Sequence, residues 1–104
     1  DFTYVGNVVD ANILAIKARI PRYGLFNIAS GKSYTILALV NILNRLLKKE
    51  IKPSFLNKRP GDVFKTFADL SRARKLLGYS PRLDFIEGLS MTIDYWKEKC
   101  VKKQ

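Results

Sequence analysis

Between Asn57 and Pro81 the chain carries its strongest punctuation, and it fixes where elements start and stop. Arg59-Pro60-Gly61-Asp62 is a turn: Pro60 pre-sets its own φ, and Gly61 tolerates a bend. Asp69 is placed to cap a short helix whose apolar residues Ala73, Leu76 and Leu77 repeat at helical spacing. Gly78 ends that helix and Ser80-Pro81 prevents its continuation. The turn offers one cation and one carboxylate. Arg59 can clamp a phosphate through a planar fork, and Asp62 can accept hydrogen bonds from a sugar diol.

The remainder divides in the same way. Asp1 to Val5 alternates aromatic and polar residues and reads as a short strand, with Gly6-Asn7 following and Asn7 a candidate N-cap. Val8 to Ile20 is a helix with Val9, Ile13, Ile16 and Ile20 along one face. Val8, Ala11, Leu14, Ala15 and Ala18 extend the apolar surface nearly all round it. So much apolar surface on one helix of a 104-residue chain implies a neighbour the chain does not itself supply. Pro21 to Gly24 is a turn, and Leu25 to Ala29 a short buried strand. Ser33 caps a second helix, in which Ile36, Leu39, Val40, Leu43, Leu46 and Leu47 recur at helical spacing. Ile51 to Phe55 reads as an edge strand, because Pro53 cannot donate to a central ladder. Asp84 caps the last helix, with Glu87 at capping-box spacing and Ile86, Leu89, Ile93 and Trp96 forming one stripe.

The expected architecture is therefore α+β, a single domain over 1–104 with about four helices and a few short strands. It has no strand, glycine-rich turn and helix unit of the Rossmann type that could cradle a dinucleotide. No apolar run approaches the roughly 20 residues that span a bilayer. The lone Cys100 rules out an internal disulfide and fits a reducing compartment, so the expected location is cytoplasmic. The chain has no histidine, which removes the commonest metal ligand and general base. The start at Asp1 rather than Met reads as an excised, engineered or processed end.

The net charge of +10 raises the prospect of anionic partners. The basic residues are spread along the chain, in groups such as Arg45-Lys48-Lys49-Lys52 and Arg72-Arg74-Lys75, near helix ends or on polar faces. Solvated surface with dipole-compensating lysines explains them. A nucleic-acid-binding module is the competing reading, but no basic stripe with interleaved aromatics and no reader motif accompanies the charge.

Four segments in order resemble the NAD-dependent epimerase/dehydratase family of nucleotide-sugar enzymes, the extended short-chain dehydrogenases. They are Asp1-Phe2-Thr3-Tyr4-Val5 with Val8-Val9-Asp10-Ala11; Phe26-Asn27-Ile28-Ala29-Ser30-Gly31; Arg59-Pro60-Gly61-Asp62; and Ala68-Asp69 with Lys75-Leu76-Leu77-Gly78-Tyr79-Ser80-Pro81. They are similar to the substrate-binding C-terminal part of a UDP-glucose 4-epimerase-like enzyme, and they cover nearly the whole chain. The resemblance implies a UDP-sugar substrate. It also implies NAD, a Tyr-x-x-x-Lys pair and a Ser/Thr, all carried by the N-terminal two-thirds of full-length members. On this reading the chain holds no cofactor and is not catalytic alone.

By the resemblance, Arg59 matches the arginine that holds the diphosphate, Asp62 the acid on the ribose, and Phe2 an aromatic position near the nucleotide. A surface ion pair is the competing reading for Arg59 and Asp62, and simple core packing for Phe2. Tyr95-Trp96-Lys97-Glu98-Lys99 fits the Tyr-x-x-x-Lys pattern, but it lies on an amphipathic helix without a Ser/Thr partner. The family arginine that precedes the position of Asp1 is absent, Gly6-Asn7 stands where acids are common, and Ala29 replaces a typical glycine. The expected partners are UDP or a UDP-sugar, bound weakly, and a second copy or a separate Rossmann-domain chain. A structural remnant that only self-associates is the third reading.

Overall fold

The computed structural model describes residues 1–20 and 23–101, the side chain of Val101 excepted. Four helices make up its regular structure: α1 (Val5–Lys17), α2 (Ile36–Leu47), α3 (Ser71–Leu77) and α4 (Phe85–Val101). The expected α+β class is corrected: no strand occurs among the described residues, and the fold is all helical. The segments expected as strands, 1–5, 25–29 and 51–55, do not form a ladder, and α1 already begins at Val5. Alternation marks where a backbone is suited to extension, but a strand exists only when a second one pairs its N–H and C=O groups. The Ile51 backbone instead pairs with a side chain. Asn44 Nδ2 donates to the Ile51 carbonyl at 2.9 Å, and the Ile51 N–H donates to Asn44 Oδ1 at 3.0 Å. Of the turn expected at Pro21 to Gly24, Pro21 and Arg22 lie outside the described residues.

The core lies between α1 and α3. Ala11, Ala29, Leu70, Ala73, Leu77 and Tyr79 are buried together, with Leu14, Ala18, Phe26 and Ile28 partly buried against them. Alanines at the crossing let the two helices approach closely, and Ala73 is only 1% exposed. The inward face of α1 is therefore Asn7, Ala11, Leu14 and Ala18. Its larger aliphatic residues point the other way: Val9 is 51% and Ile16 84% exposed. The apolar girth read from the sequence is real, and this fold covers only the small-residue side of it.

Asn7 is not an N-cap. It is the third residue of α1, is 1% exposed, and makes three hydrogen bonds to the connection between α3 and α4. Its Nδ2 donates to the Leu83 carbonyl at 2.8 Å, and its Oδ1 accepts from the Arg82 and Leu83 N–H groups at 3.1 Å each. Close by on the surface, Arg82 pairs with Asp10 at 3.1 Å. Tyr79 makes the second long-range polar tie, its hydroxyl donating to the Ala29 carbonyl at 2.9 Å. Ala29, which stands where the family typically has glycine, is a buried member of the core.

Local chemistry sets the helix ends. α2 is capped by Thr35, not Ser33, its hydroxyl accepting from the Ala38 N–H at 3.0 Å. The far end of α2 is Lys48 in the left-handed region (φ 52), where glycine would sit without strain. Asp69 accepts from the Ser71 hydroxyl at 2.6 Å and the Ser71 N–H at 2.9 Å, and these two bonds hold its carboxyl below the ordinary value of 3.8. That contribution to the start of α3 is present above this value and is lost as pH falls through the depressed one. Gly78 (φ 66) ends α3, and the Tyr79 N–H returns to the Ala73 carbonyl. The capping box of α4 forms as expected: the Glu87 N–H donates to Asp84 Oδ1 at 2.9 Å and the Asp84 N–H to Glu87 Oε2 at 3.0 Å. Gly88 gives Tyr4 room to lie against α4, since a Cβ there would meet the Tyr4 Cβ at 2.6 Å.

Residues 51–67 are exposed throughout and stand away from this core. The Cα radius of gyration is 17.0 Å, against about 13 Å for a compact chain of this length. Phe55, Leu56, Val63 and Phe64 all lie bare on this segment, Phe64 at 97%.

Removing the Asn7 amide leaves two part-buried N–H groups and a carbonyl without their partner, so Asn7→Ala is expected to cost about 1–3 kcal/mol in a denaturant or thermal melt. Lys48→Gly relieves the left-handed strain and is expected to stabilise by about 0.5–1 kcal/mol. Burial, with Asp10 nearby, raises the Tyr79 pKa above the ordinary phenol value of 10.0. The neutral phenol is thus the form the fold favours. Its contribution is complete below about pH 10 and falls away as pH rises from there through the raised value. Alkaline melts of wild type and Tyr79→Phe are expected to differ less above pH 10 than at pH 8.

Candidate functional site

The Arg59–Asp62 turn forms as the sequence predicts. Gly61 has φ 87, which fits the third position of a type II turn after Pro60. The Asp62 N–H donates to the Arg59 carbonyl at 3.2 Å, and the Arg59 N–H donates to Asp62 Oδ2 at 3.2 Å. The carboxylate therefore braces the turn through the backbone, and the surface ion pair weighed from the sequence does not form. Among the described residues the Arg59 guanidinium pairs with no carboxylate. Asp62 Oδ1 accepts no hydrogen bond there either. Both side chains are exposed, on a segment that extends from the helical body.

Phe2 lies elsewhere, half-buried in an aromatic stack. Its ring centroid is 5.2 Å from that of Phe85 at an interplanar angle of 21°, and Tyr34 packs on Phe85 at 4.3 Å. Core packing thus occupies one face of Phe2. An apolar cleft of about 220 Å³ beside it is lined by Tyr4, Leu39, Gly88, Leu89 and Thr92. No hydrogen bond, ion pair or ring contact among the described residues joins Phe2 to the Arg59–Asp62 turn. The helices alone do not bring the three residues into one pocket.

Sequence reasoning missed Asp1. Its carboxylate accepts from the Ser30 hydroxyl at 2.6 Å, the Ser30 N–H at 3.0 Å and the Gly31 N–H at 3.3 Å. Its nitrogen donates to the carbonyl and hydroxyl of Thr66, each at 3.2 Å. Asp1 thereby ties the Ser30–Gly31 loop to the base of the segment that carries Arg59, with Phe2 next to it. The paired donors of Ser30 and Gly31 were the signal that an acceptor was needed, but nothing local names a residue 29 positions away.

Tyr95 and Lys99, which match the family's catalytic spacing, lie exposed on α4. The ammonium sits over the tyrosine ring at 4.9 Å from its centroid, and Trp96 packs edge-on at 5.7 Å. That is a surface cation–π contact. Among the described residues no hydrogen bond is directed at the phenol.

The chain matches no protein-family profile. It is 36% identical over 99 residues to a UDP-glucuronate 4-epimerase of Thermodesulfobacterium geofontis, a match that takes in 94% of this chain and 30% of that protein. The solved UDP-glucose 4-epimerase of Thermotoga maritima, with UDP-glucose, superposes with a TM-score of 0.87 at 32% identity over 96% of this chain and 32% of its own. MoeE5, in complex with UDP-glucuronic acid and NAD, superposes with a TM-score of 0.88 at 29% identity, over 95% of this chain and 33% of its own. The chain thus spans about 30% of the length of the curated relatives it matches, and the match falls in their C-terminal part.

If Asp62 braces the turn as described, Asp62→Ala frees the Arg59 amide. Hydrogen exchange at Arg59 is then expected to accelerate several-fold, with exchange in α1 and α3 unchanged.

Proposed function

We propose that this chain, which belongs to the NAD-dependent epimerase/dehydratase family as the C-terminal part of its UDP-sugar 4-epimerases, supplies the nucleotide-sugar side of such an enzyme. Arg59 takes the diphosphate through its fork of N–H donors, and Asp62 takes the ribose hydroxyls through Oδ1. Phe2 presents its free ring face to the nucleotide. The observation that carries the reading is the turn itself. A glycine-hinged bend, stiffened by proline and braced by Asp62, holds in solvent a guanidinium that pairs with no carboxylate among the described residues. A structural ion pair would have consumed that charge.

Hydride chemistry lies outside this part of the molecule. The described residues do not fit a dinucleotide: four helices without a strand leading into a glycine-rich turn offer no cradle for its phosphates. NAD belongs to the remainder of the enzyme, as the family likeness implies. The outer face of α1 and the bare segment 51–67 are the surfaces for a cofactor-binding unit, in the same polypeptide or a separate one, or for a second copy of this chain. Exposed aliphatic and aromatic area on this scale favours such covering. Residues 1–104 act as one folding unit. A reducing cytoplasm suits the exposed, unpaired Cys100, and no described helix is long and apolar enough to cross a membrane.

The test is calorimetric titration with UDP, UDP-glucose and NAD. UDP is expected to bind and NAD not to bind, and Arg59→Ala is expected to weaken UDP by roughly tenfold or more, the scale of lost charge-assisted bonds. A folded chain that takes up no UDP, or that binds UDP unchanged in Arg59→Ala, overturns the assignment.

A further inference from the structure

We propose that Asn44 and Asp1 are positioning residues for the ligand that Arg59 takes: they pin the two roots of the segment carrying the 59–62 turn, and so set where the guanidinium stands. The proposal rests on the reading of that turn as the diphosphate contact. The segment is exposed from Ile51 to Phe67. Between residues 52 and 65 its only hydrogen bonds among the described residues are the two inside the turn itself. No such bond ties its length to the helices, so its direction is set where it leaves them and where it returns.

The outgoing root is held by Asn44. Its amide grips both main-chain groups of Ile51: Nδ2 donates to the carbonyl at 2.9 Å and Oδ1 accepts from the N–H at 3.0 Å. The Asn44 carbonyl also accepts from the Lys49 N–H at 2.9 Å. Side chain and main chain of one residue near the end of α2 thus fix the chain just past the left-handed bend at Lys48. Two bonds to one residue set its orientation as well as its place, whereas a single bond leaves rotation free. The pairing needs one donor and one acceptor on the same short side chain, which an aspartate could not supply.

The returning root is held by Asp1. Its nitrogen donates to the carbonyl and hydroxyl of Thr66, each at 3.2 Å. That donor is itself held in place. The Asp1 carboxylate accepts from the Ser30 hydroxyl at 2.6 Å and from the Ser30 and Gly31 N–H groups. Phe2, next in sequence, stacks on Phe85, and Tyr34, just beyond the same loop, packs on Phe85 too. These contacts close a circuit through Asp1, Ser30, Tyr34, Phe85 and Phe2. The Phe2 face offered to the nucleotide and the anchor of the Arg59 segment therefore share one braced unit.

Two readouts on the full chain test this. The first needs no ligand. Spin labels on Cys100, exposed on α4, and on Lys58→Cys report the distance from the helical body to the turn. Asn44→Ala and Asp1→Ala are each expected to broaden that distance distribution, with hydrogen exchange in α1 and α3 unchanged. Asp1→Asn keeps an acceptor for Ser30 and is expected to leave it narrow. Asn44→Asp, which keeps the acceptor and loses the donor, replaces Asn44→Ala if that variant melts early. The second readout is calorimetric titration with UDP. Both alanine variants are expected to weaken UDP about three- to tenfold, the scale of lost preorganisation, and Asp1→Asn to restore most of the affinity. On an Arg59→Ala background Asn44→Ala is expected to weaken UDP by less than about twofold, because it acts through that guanidinium. A general loss of stability would weaken both backgrounds alike. Unchanged distance distributions overturn the proposal. So does equal UDP binding by the wild type and both alanine variants, or an Asn44→Ala loss that is the same with and without Arg59. A wild-type chain that binds no UDP overturns the reading of the turn, and this proposal with it.

Discussion

The buried amide of Asn7 is the contact on which the rest of this fold depends. One side chain in α1 donates to one carbonyl and accepts from two amides of the 82–83 connection. It thereby fixes where α3 ends and α4 begins, relative to α1. The consequence reaches both halves of the chain. Phe85, the first residue of α4, carries the stack with Phe2 and Tyr34, so the N-terminal segment is placed by the same bracket that places α4. A side chain with one donor and one acceptor group is suited to this geometry. A carboxylate could accept from the two amides but could not donate to Leu83.

Around that bracket the packing is asymmetric, and the asymmetry carries the functional argument. The α1–α3 crossing uses alanines and gains closeness at the cost of leaving Val5, Val9, Ile13 and Ile16 outward. Residues 51–67 extend with Phe55, Leu56, Val63 and Phe64 bare. The chain covers about a third of each of the two solved structures compared above, and exposed apolar surface of this kind favours covering. The Arg59 turn sits on the same bare segment. On the reading proposed above, its guanidinium and the Phe2 ring converge on one ligand only when that segment is held in place. Ordering of the site and covering of the apolar surface would then be one event, with the ordering entropy falling on whatever covers it.

How much of this the sequence disclosed differs from element to element. All four helices were legible from their apolar spacing; Gly78 and the Asp84–Glu87 box also stand where their residue types demand, whereas the starts of α1 and α2 fell elsewhere than at Asn7 and Ser33. The order of motifs disclosed the family, and the Arg59–Asp62 turn formed as its Pro-Gly step required. The strands were misread. Alternation in 1–5 and 51–55, and the short apolar run at 25–29, describe the chain's own preference, whereas pairing depends on a neighbour no local pattern contains. The inward face of α1 was misread for a related reason. Size and hydrophobicity favoured Val9, Ile13 and Ile16, and the need for a close crossing favoured alanine. Asn7 was read as a cap because Asn commonly is one; its partners lie about 75 residues away, beyond any local signal.

The most direct test of this account is native-state hydrogen exchange on the chain alone, read residue by residue. An all-helical core bracketed by Asn7 predicts the slowest exchange in α1 and α3 and at Arg82 and Leu83. It predicts rapid exchange through 25–28 and 52–57, where no ladder protects the amides. Protection of those two segments at the level of α1 would mean that they pair as strands, and would contradict both the fold described and the bare surfaces argued from it.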